Sequence, residues 1–435
     1  MPSYEPAGFF LLRSPVLPAR TYLDLMADPD RTLEMLLDLA RRPDVERALL
    51  VASDDLAGAL ARLDRLSEKK ARRVHSRLLR YITRMSTRPT PFGTFSGVAM
   101  GSFGGQTTAE LGCPAHLRTR VRADMGWLLS WIKRIEEDDG LLRRLGIVVN
   151  PMAHIAGDRV VLPQADKYGR HDSRTVRIRA TAAVEVVMRT AATPTPYEQL
   201  SAELAAAFPE ADGEAIEGLI RQMWDLGFLT SDLRPSQTAA RPEQDVLKKL
   251  AGIPAAAAAE QLRAVADLAE RIDDAASLHA LSAAQRELLP DYTGRTYQAD
   301  MAIDLRTPQI NASVAQAAAD AVGVLMRISA ALGSHNHLTR YREEFTERYG
   351  AGTRVPVLSL LSPDTGLDAP PTYTNPPPGI ELPAAPPPDT QRMDGLLVEF
   401  AQQAWWDRAL EVELTDSWLE RLAPAETALD WPPVM

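Results

Sequence analysis

The sequence predicts an α+β protein of several domains, with mixed helices and sheets and a winged helix-turn-helix-like module inserted near its middle. Three observations carry this. At 435 residues the chain exceeds one ordinary domain, and with 45% hydrophobic residues it can bury more than one core. Apolar residues recur at helical spacing over long stretches and alternate over short ones. Residues 157–234 place two short strand-like segments ahead of three helical ones, the composition of a winged helix. The expected divisions are 1–156, 157–234 and 235–435.

The elements follow in order. The opening, FFLLRSPVLP, has extended character up to Pro18, and residues 19–85 read as helical. In LARLDRLSEKKARRVHSRLLRYITRM, Leu63, Leu66, Val74, Leu78, Ile82 and Met85 recur at spacings of three, four and eight, which predicts one amphipathic helix. It must stop at Arg88-Pro89-Thr90-Pro91, because each proline removes a donor and restricts the residue before it. PFGTFSGVAMGSFGG then reads as a strand entered through a turn, and a helix follows at 126–137. DRVVLP and TVRIRAT are strands around a polar turn; AAVEVVMRTA, YEQLSAELAAAF and GEAIEGLIRQMWDLG are helices, the last stopped by Gly227. Residues 240–290 read as scaffold helices, TYQADMAIDL as a strand and VAQAAADAVGVLMRISAAL as a helix. Prolines dominate 361–390, a linker composition. GLLVEFAQQAWWDRAL reads as a helix and EVELT as a strand.

Composition narrows the function. No window offers the roughly 18 apolar residues of a membrane helix, and the start lacks a secretory signal. A single cysteine, Cys113, excludes an internal disulfide framework and fits a reducing compartment, so the cytoplasm is the expected location. A formal charge of -10 argues against generic nucleic-acid binding. Between Arg62 and Arg88, however, ten Lys or Arg face two acids. Such a strip suits local phosphate binding, with Lys69, Lys70, Arg72, Arg73, Arg77 and Arg80 at its centre; a solvated helix face is the alternative. The last helix of 157–234 carries two Glu and an Asp against one Arg, where major-groove reading needs a basic face, so DNA is not an expected partner.

Phosphate loops, dinucleotide fingerprints and zinc or serine-hydrolase motifs are missing from the sequence. The seven histidines show no metal-ligand spacing, His335 and His337 included, and no metal or cofactor is expected. RMSTRPTPFGTFSG stands out. It sets Arg84, Arg88 and Thr90 at a helix-to-loop transition beside a glycine turn, where guanidinium forks and a hydroxyl can hold phosphate oxygens. A structural turn explains the same residues equally well.

This segment is similar to the RxxxRxTPFGxF-like signature of the lantibiotic dehydratase N-terminal domain. FFLLRSPVLP, RVRADMGWL, DLGFLTSDLRP, TYQADMAIDL and FTERYGAGTRVPVLSLLSPDTGLDAPPTY resemble further segments of that family in its order, from about residue 9 to 425. The resemblance implies an N-terminal glutamylation subdomain in 1–156, a leader-peptide recognition module in 157–234 and a continuation of the glutamylation domain in 235–435. It implies transfer of glutamate from glutamyl-tRNA, as co-substrate, to Ser and Thr hydroxyls of a precursor peptide. Arg13, Arg84, Arg88, Thr90, Asp124 and Asp300 match the family's glutamylation residues in type. Asp124 has a structural alternative as a helix cap, and Asp300 as a partner of a core arginine. In the module, Val160, Val161 and Ile178 on the strands and Ile216, Leu219, Ile220 and Met223 on the last helix are expected to wall a leader-peptide groove, unless they face the module's own core. Full dehydratases are longer, so either the chain is truncated or split or a partner such as a separate elimination-domain protein completes it, and it is not expected to dehydrate alone. Two rival readings stay open: a non-catalytic precursor-peptide-binding protein, and a tRNA-dependent ligase that adds an amino acid to a peptide C-terminus.

Overall fold

The computed structural model describes residues 5–112, 118–163, 165, 168, 175–331, 336–370, 373, 391–409 and 411–423. The chain divides into a larger unit, Phe10–Gly101 with Thr108–Pro308, and a smaller one, Met1–Phe9, Ser102–Thr107 and Gln309–Met435. The expected α+β mixture of helices and small sheets is what forms.

The larger unit is organised by a sheet whose strands run Phe9–Pro15, Ser96–Gly104, Tyr297–Ala302, Arg118–Ala123 in spatial order. Alternation decides its faces. In RTRVRA, Val121 and Ala123 turn inward and Arg118 and Arg120 outward; in YQADMA, Ala299 and Met301 turn inward and Gln298 and Asp300 outward. Val121, Ala123 and Ala299 join a core with the helices Met125–Glu136, Pro242–Leu250, Ala256–Glu270 and Ala275–Leu288. Trp127 is its largest fully buried side chain, and its indole N–H donates to the Gln285 carbonyl at 3.0 Å.

A second core joins Leu17 and Phe95 to the helices Ala19–Ala27, Thr32–Ala40, Pro43–Ala52, Asp54–Leu60 and Glu68–Thr87. The single helix expected through Leu63 and Leu66 is broken. Leu63–Arg65 is a short 3-10 turn and Leu66 is extended (φ -85°, ψ 148°), so the basic helix starts only at Glu68. It ends at Thr87, as the prolines require.

The third core belongs to the inserted module. The helices Ala182–Thr190, Tyr197–Ala207 and Gly213–Asp225 enclose it together with Val160 and Leu162 of the strand Arg159–Leu162. That strand pairs antiparallel with both Val176–Arg179 and His154–Ala156. Gly227, at φ 86°, stops the last helix in a conformation that disfavours residues with a Cβ. The sequence reading missed Gly146–Val149, the central strand between Leu229–Ser231 and Thr195–Pro196. Ile147, 1% exposed, sits in the module's core, so that core begins before residue 157. A fragment starting ahead of Gly146 and running past Ser231 is therefore expected to melt cooperatively, whereas residues 157–234 alone lose the central strand and should not. Calorimetry of the two fragments checks this; equal cooperative transitions would contradict it.

In the smaller unit, Gln309–Asn311 pairs parallel with Ser102–Gly104, and the helices Ala312–Ala331, Asn336–Tyr349, Val357–Leu360, Gln391–Trp406 and Asp416–Leu422 follow. EVELT forms no strand. Residues 411–415 are irregular and Thr415 leads into a helix that the sequence reading missed. Cys113, His116, His171, His335 and most of the proline-rich stretch lie outside the described residues.

Candidate functional site

The outward face of the larger unit's sheet collects Arg13, Arg88, Thr90, Asp124 and Asp300. Val16 N–H donates to the Phe95 carbonyl at 3.0 Å, and the Phe10 ring lies against Gly101, so the first two strands run antiparallel. Because Phe10 occupies the inner face, Arg13, three residues on, turns outward. Ala302 pairs parallel with Val98, which places Asp300, Val98 and Ser96 on that same outward face. Asp300 is the cross-strand partner of Arg120, and Gln298 that of Arg122.

The Arg88-Pro89-Thr90 turn is fastened to this face. The hydroxyl of buried Ser96 donates to the Pro89 carbonyl at 2.6 Å, and the last turn of the basic helix accepts a bond from Leu17 N–H through the Met85 carbonyl at 3.0 Å. Gly93 (φ 55°) makes the turn possible, since a Cβ there would stand 2.8 Å from Val51. Arg13, Arg88 and Thr90 are exposed and carry no side-chain hydrogen bond or ion pair among the described residues. Arg84 differs. Its guanidinium stacks over Phe92 at 4.4 Å from the ring centroid, and its buried Nε has no hydrogen-bond partner among the described residues. Behind the turn, a cavity of about 560 Å³ is lined chiefly by Pro15, Leu17, Pro89, Met301 and Ile303; its apolar walls suit no phosphate.

Asp124 does cap the Met125–Glu136 helix, accepting from Gly126 N–H at 2.8 Å, but its other oxygen accepts from Gln298 Nε2 at 3.1 Å. The strand that carries Asp300 thus also holds Asp124. Close by, burial raises the Tyr292 phenol, and the Asp124 carboxylate adds to the effect. Asp300 pairs not with a core arginine but with half-buried Arg122, its Oδ2 lying 3.9 Å from Nε. Ser96, Arg122 and Gln298 were not singled out from the sequence. The alternation of RTRVRA and YQADMA was the available signal for the last two; nothing flagged Ser96.

On the basic helix, Lys69, Lys70, Arg72, Arg73 and Arg80 are exposed. Arg77 is not equivalent to them: it is half-buried and donates to Ser53 Oγ at 3.0 Å, which ties it to the neighbouring helix. If the strip binds phosphates as its composition predicts, reversing charge at Lys70, Arg72 and Arg73 weakens polyanion binding and flattens its salt dependence without loss of fold, by about one unit of slope per lost phosphate contact. Filter binding between low and moderate salt checks this, and an unchanged slope would move the nucleic-acid surface elsewhere.

The module corrects the groove expectation. Val160, Ile216, Ile220 and Met223 lie in its own core, and Val161 is buried as well, so these side chains have no surface to offer a peptide. The helix turns them inward because one amphipathic face must cover the three-helix core. Ile178 and Leu219 are half-buried at its margin. Val176–Arg179 lies at the edge of its sheet, with no second strand partner among the described residues. A buried Glu136 joins the module to the larger sheet's helix, accepting from the Tyr168 and Ser231 hydroxyls at 2.6 Å each.

A sheet face with two held carboxylates and a fastened Arg-Pro-Thr turn, carrying an inserted winged-helix-like module, defines a class, and the chain belongs to the family described as lantibiotic dehydratase, N terminus, whose profile matches residues 41–435. Among curated relatives, the subtilin biosynthesis protein SpaB of Bacillus subtilis is 27% identical over 393 residues, covering 86% of this chain and 36% of SpaB. The tRNA-dependent lantibiotic dehydratase MibB from Microbispora sp. 107891 superposes with a TM-score of 0.78 at 31% identity, covering 96% of this chain and 40% of MibB. The glutamylation domain TbtB from thiomuracin biosynthesis shares the fold at 17% identity (TM-score 0.56), covering 91% of this chain and 51% of TbtB, and has also been solved bound to 5′-phosphodesmethylglutamycin. The chain thus spans about a third of the length of SpaB and two fifths of MibB. No helix among the described residues is long and apolar enough to cross a membrane.

Proposed function

We propose that this chain carries the glutamyl-transfer site of a lantibiotic dehydratase, moving glutamate from glutamyl-tRNA to Ser and Thr hydroxyls of a ribosomally made precursor peptide. The observation that carries the reading is the meeting of Arg13, the Arg88-Pro89-Thr90 turn, Asp300 and Asp124 on one sheet face, from segments far apart in sequence. Among the described residues the side chains of Arg13, Arg88 and Thr90 are left without protein partners, as those of groups that serve a ligand would be.

The chemistry balances without a further cofactor. The peptide hydroxyl oxygen attacks the ester carbonyl of glutamyl-tRNA; the new ester forms as the bond to the tRNA ribose oxygen breaks, and the hydroxyl proton ends on that ribose oxygen. The tRNA ester is already activated. Exposed guanidinium groups supply charge-assisted donors for the acceptor-end phosphate and for the oxyanion that develops at the carbonyl. Asp124 and Asp300 suit the ammonium group of the glutamate or relay of the hydroxyl proton. Elimination of the glutamate falls to further polypeptide or to a partner protein, and the leader of the precursor docks on the inserted module along its Val176–Arg179 edge, by strand addition.

The test is the mass of a precursor peptide incubated with this chain, with any completing polypeptide supplied, and glutamyl-tRNA. The expected product carries glutamyl additions that hydroxylamine removes, as it removes esters. No addition overturns the proposal, and a hydroxylamine-resistant addition replaces it with amide ligation.

A further inference from the structure

We propose that Arg122 is a positioning residue of the transfer site, fixing the Asp300 carboxylate on the sheet face; this rests on the reading of that face as the site of glutamyl transfer. Asp300 is 68% exposed by side chain, and among the described residues its ion-pair partner is Arg122, at 3.9 Å. An exposed carboxylate with no other anchor samples many rotamers, and the geometry of transfer tolerates little displacement. The direct cross-strand neighbour is not available for the task, because the Arg120 guanidinium donates to the Ala240 carbonyl.

Arg122 is better fixed than the acid it faces. Its side chain is 24% exposed, it stands across the strand pair from Gln298, and Gln298 in turn holds Asp124. It therefore occupies the stretch of sheet between the two aspartates of the site. Glu243, in the first turn of the helix Pro242–Leu250, is 4% exposed, and its Oε2 has no hydrogen-bond partner among the described residues. Burial pushes the Glu243 carboxyl up, opposed by backbone N–H bonds from its own residue and from Ala123 and by the charges of Arg241 and Arg122. The charged groups the sheet sets beside Arg122 are thus Asp300 and Arg120, with Asp124 beyond Gln298. A buried carboxylate with an open oxygen is costly unless a cation lies near it. The Arg122 charge favours the ionised form of that acid, but its ion-pair contact is with Asp300.

The probe is 5′-phosphodesmethylglutamycin, titrated calorimetrically into the full chain. Arg122→Gln is expected to weaken binding about tenfold, and Arg122→Lys, which keeps the charge but not the fork, to recover part of the loss. In an Asp300→Asn background the Arg122→Gln change should cost less than about twofold, because a residue acting through Asp300 has nothing left to position. Arg122→Gln binding as wild type, or an equal loss in both backgrounds, overturns the proposal. A wild-type chain that does not bind the probe overturns the reading of the face itself, which keeps the two failures apart. Should Arg122→Gln fail to fold, the lysine variant and its Asp300→Asn combination decide by the same comparison.

Discussion

Arg88→Ala and Thr90→Ala are each expected to lower glutamyl transfer by about two to three orders of magnitude, the usual cost of removing one donor aimed at developing charge, while leaving the thermal midpoint essentially unchanged. The separation of the two effects follows from position. Both side chains are exposed, neither bonds to another of the described residues, and the turn that bears them is fastened through the backbone, by the Ser96 hydroxyl on the Pro89 carbonyl. Arg84→Ala is a contrasting control. It strips a guanidinium from the Phe92 ring, and Phe92 packs edge-on against Phe95 at 5.3 Å between centroids, so stability should fall together with activity. Single-turnover transfer and scanning calorimetry on the same three preparations check this. Arg88→Ala and Thr90→Ala at full activity would remove these positions from the site.

Trp127→Ala is expected to cost about 3–5 kcal/mol, the usual range for truncating a fully buried aromatic. Trp127 is 0% exposed in the core behind the sheet, and its loss also removes the indole N–H bond to the Gln285 carbonyl, which then keeps the Leu289 N–H at 3.2 Å. The consequence reaches the site. Asp124 caps the helix that Trp127 anchors, and Gln285 Nε2 donates to the Thr296 carbonyl, which accepts from Asp124 N–H as well. Loosening the helix therefore loosens Asp124, so activity should decline below the melting temperature. Denaturant titration reads the stability change; a loss under about 1 kcal/mol would mean that the core does not depend on this residue as the packing implies.

Much of the architecture was legible because local signals agreed with it. The prolines after Arg88 end the basic helix where they must, and the strand of YQADMA alternates cleanly, whereas the strand RTRVRA was not read from the sequence. What escaped were elements with weak local signatures. Gly146–Val149 is a central strand of continuous apolar character, which periodicity does not separate from a helix segment. The break at Leu66–Ser67 lies inside a good helical period, so the apolar pattern read straight through it. For the site, residue types were readable but partners were not. Asp124 reads from sequence as a cap, which it is, yet its second oxygen belongs to a strand more than 170 residues away. The groove residues failed for the same reason: an amphipathic helix shows which side chains share a face, not whether that face meets a core or a ligand.

The central claim is that the outward sheet face, and not the basic helix, receives the glutamyl end of the tRNA. Titration of 5′-phosphodesmethylglutamycin into variants of each surface tests it most directly. Asp124→Asn and Asp300→Asn should weaken binding at least about tenfold, the loss of a charged partner being worth about 1.4 kcal/mol or more. Charge reversal at Lys70, Arg72 and Arg73 should leave it within about twofold while still weakening whole tRNA. The opposite pattern, with the probe insensitive to the aspartates and lost on reversal of the helix charges, would contradict the account.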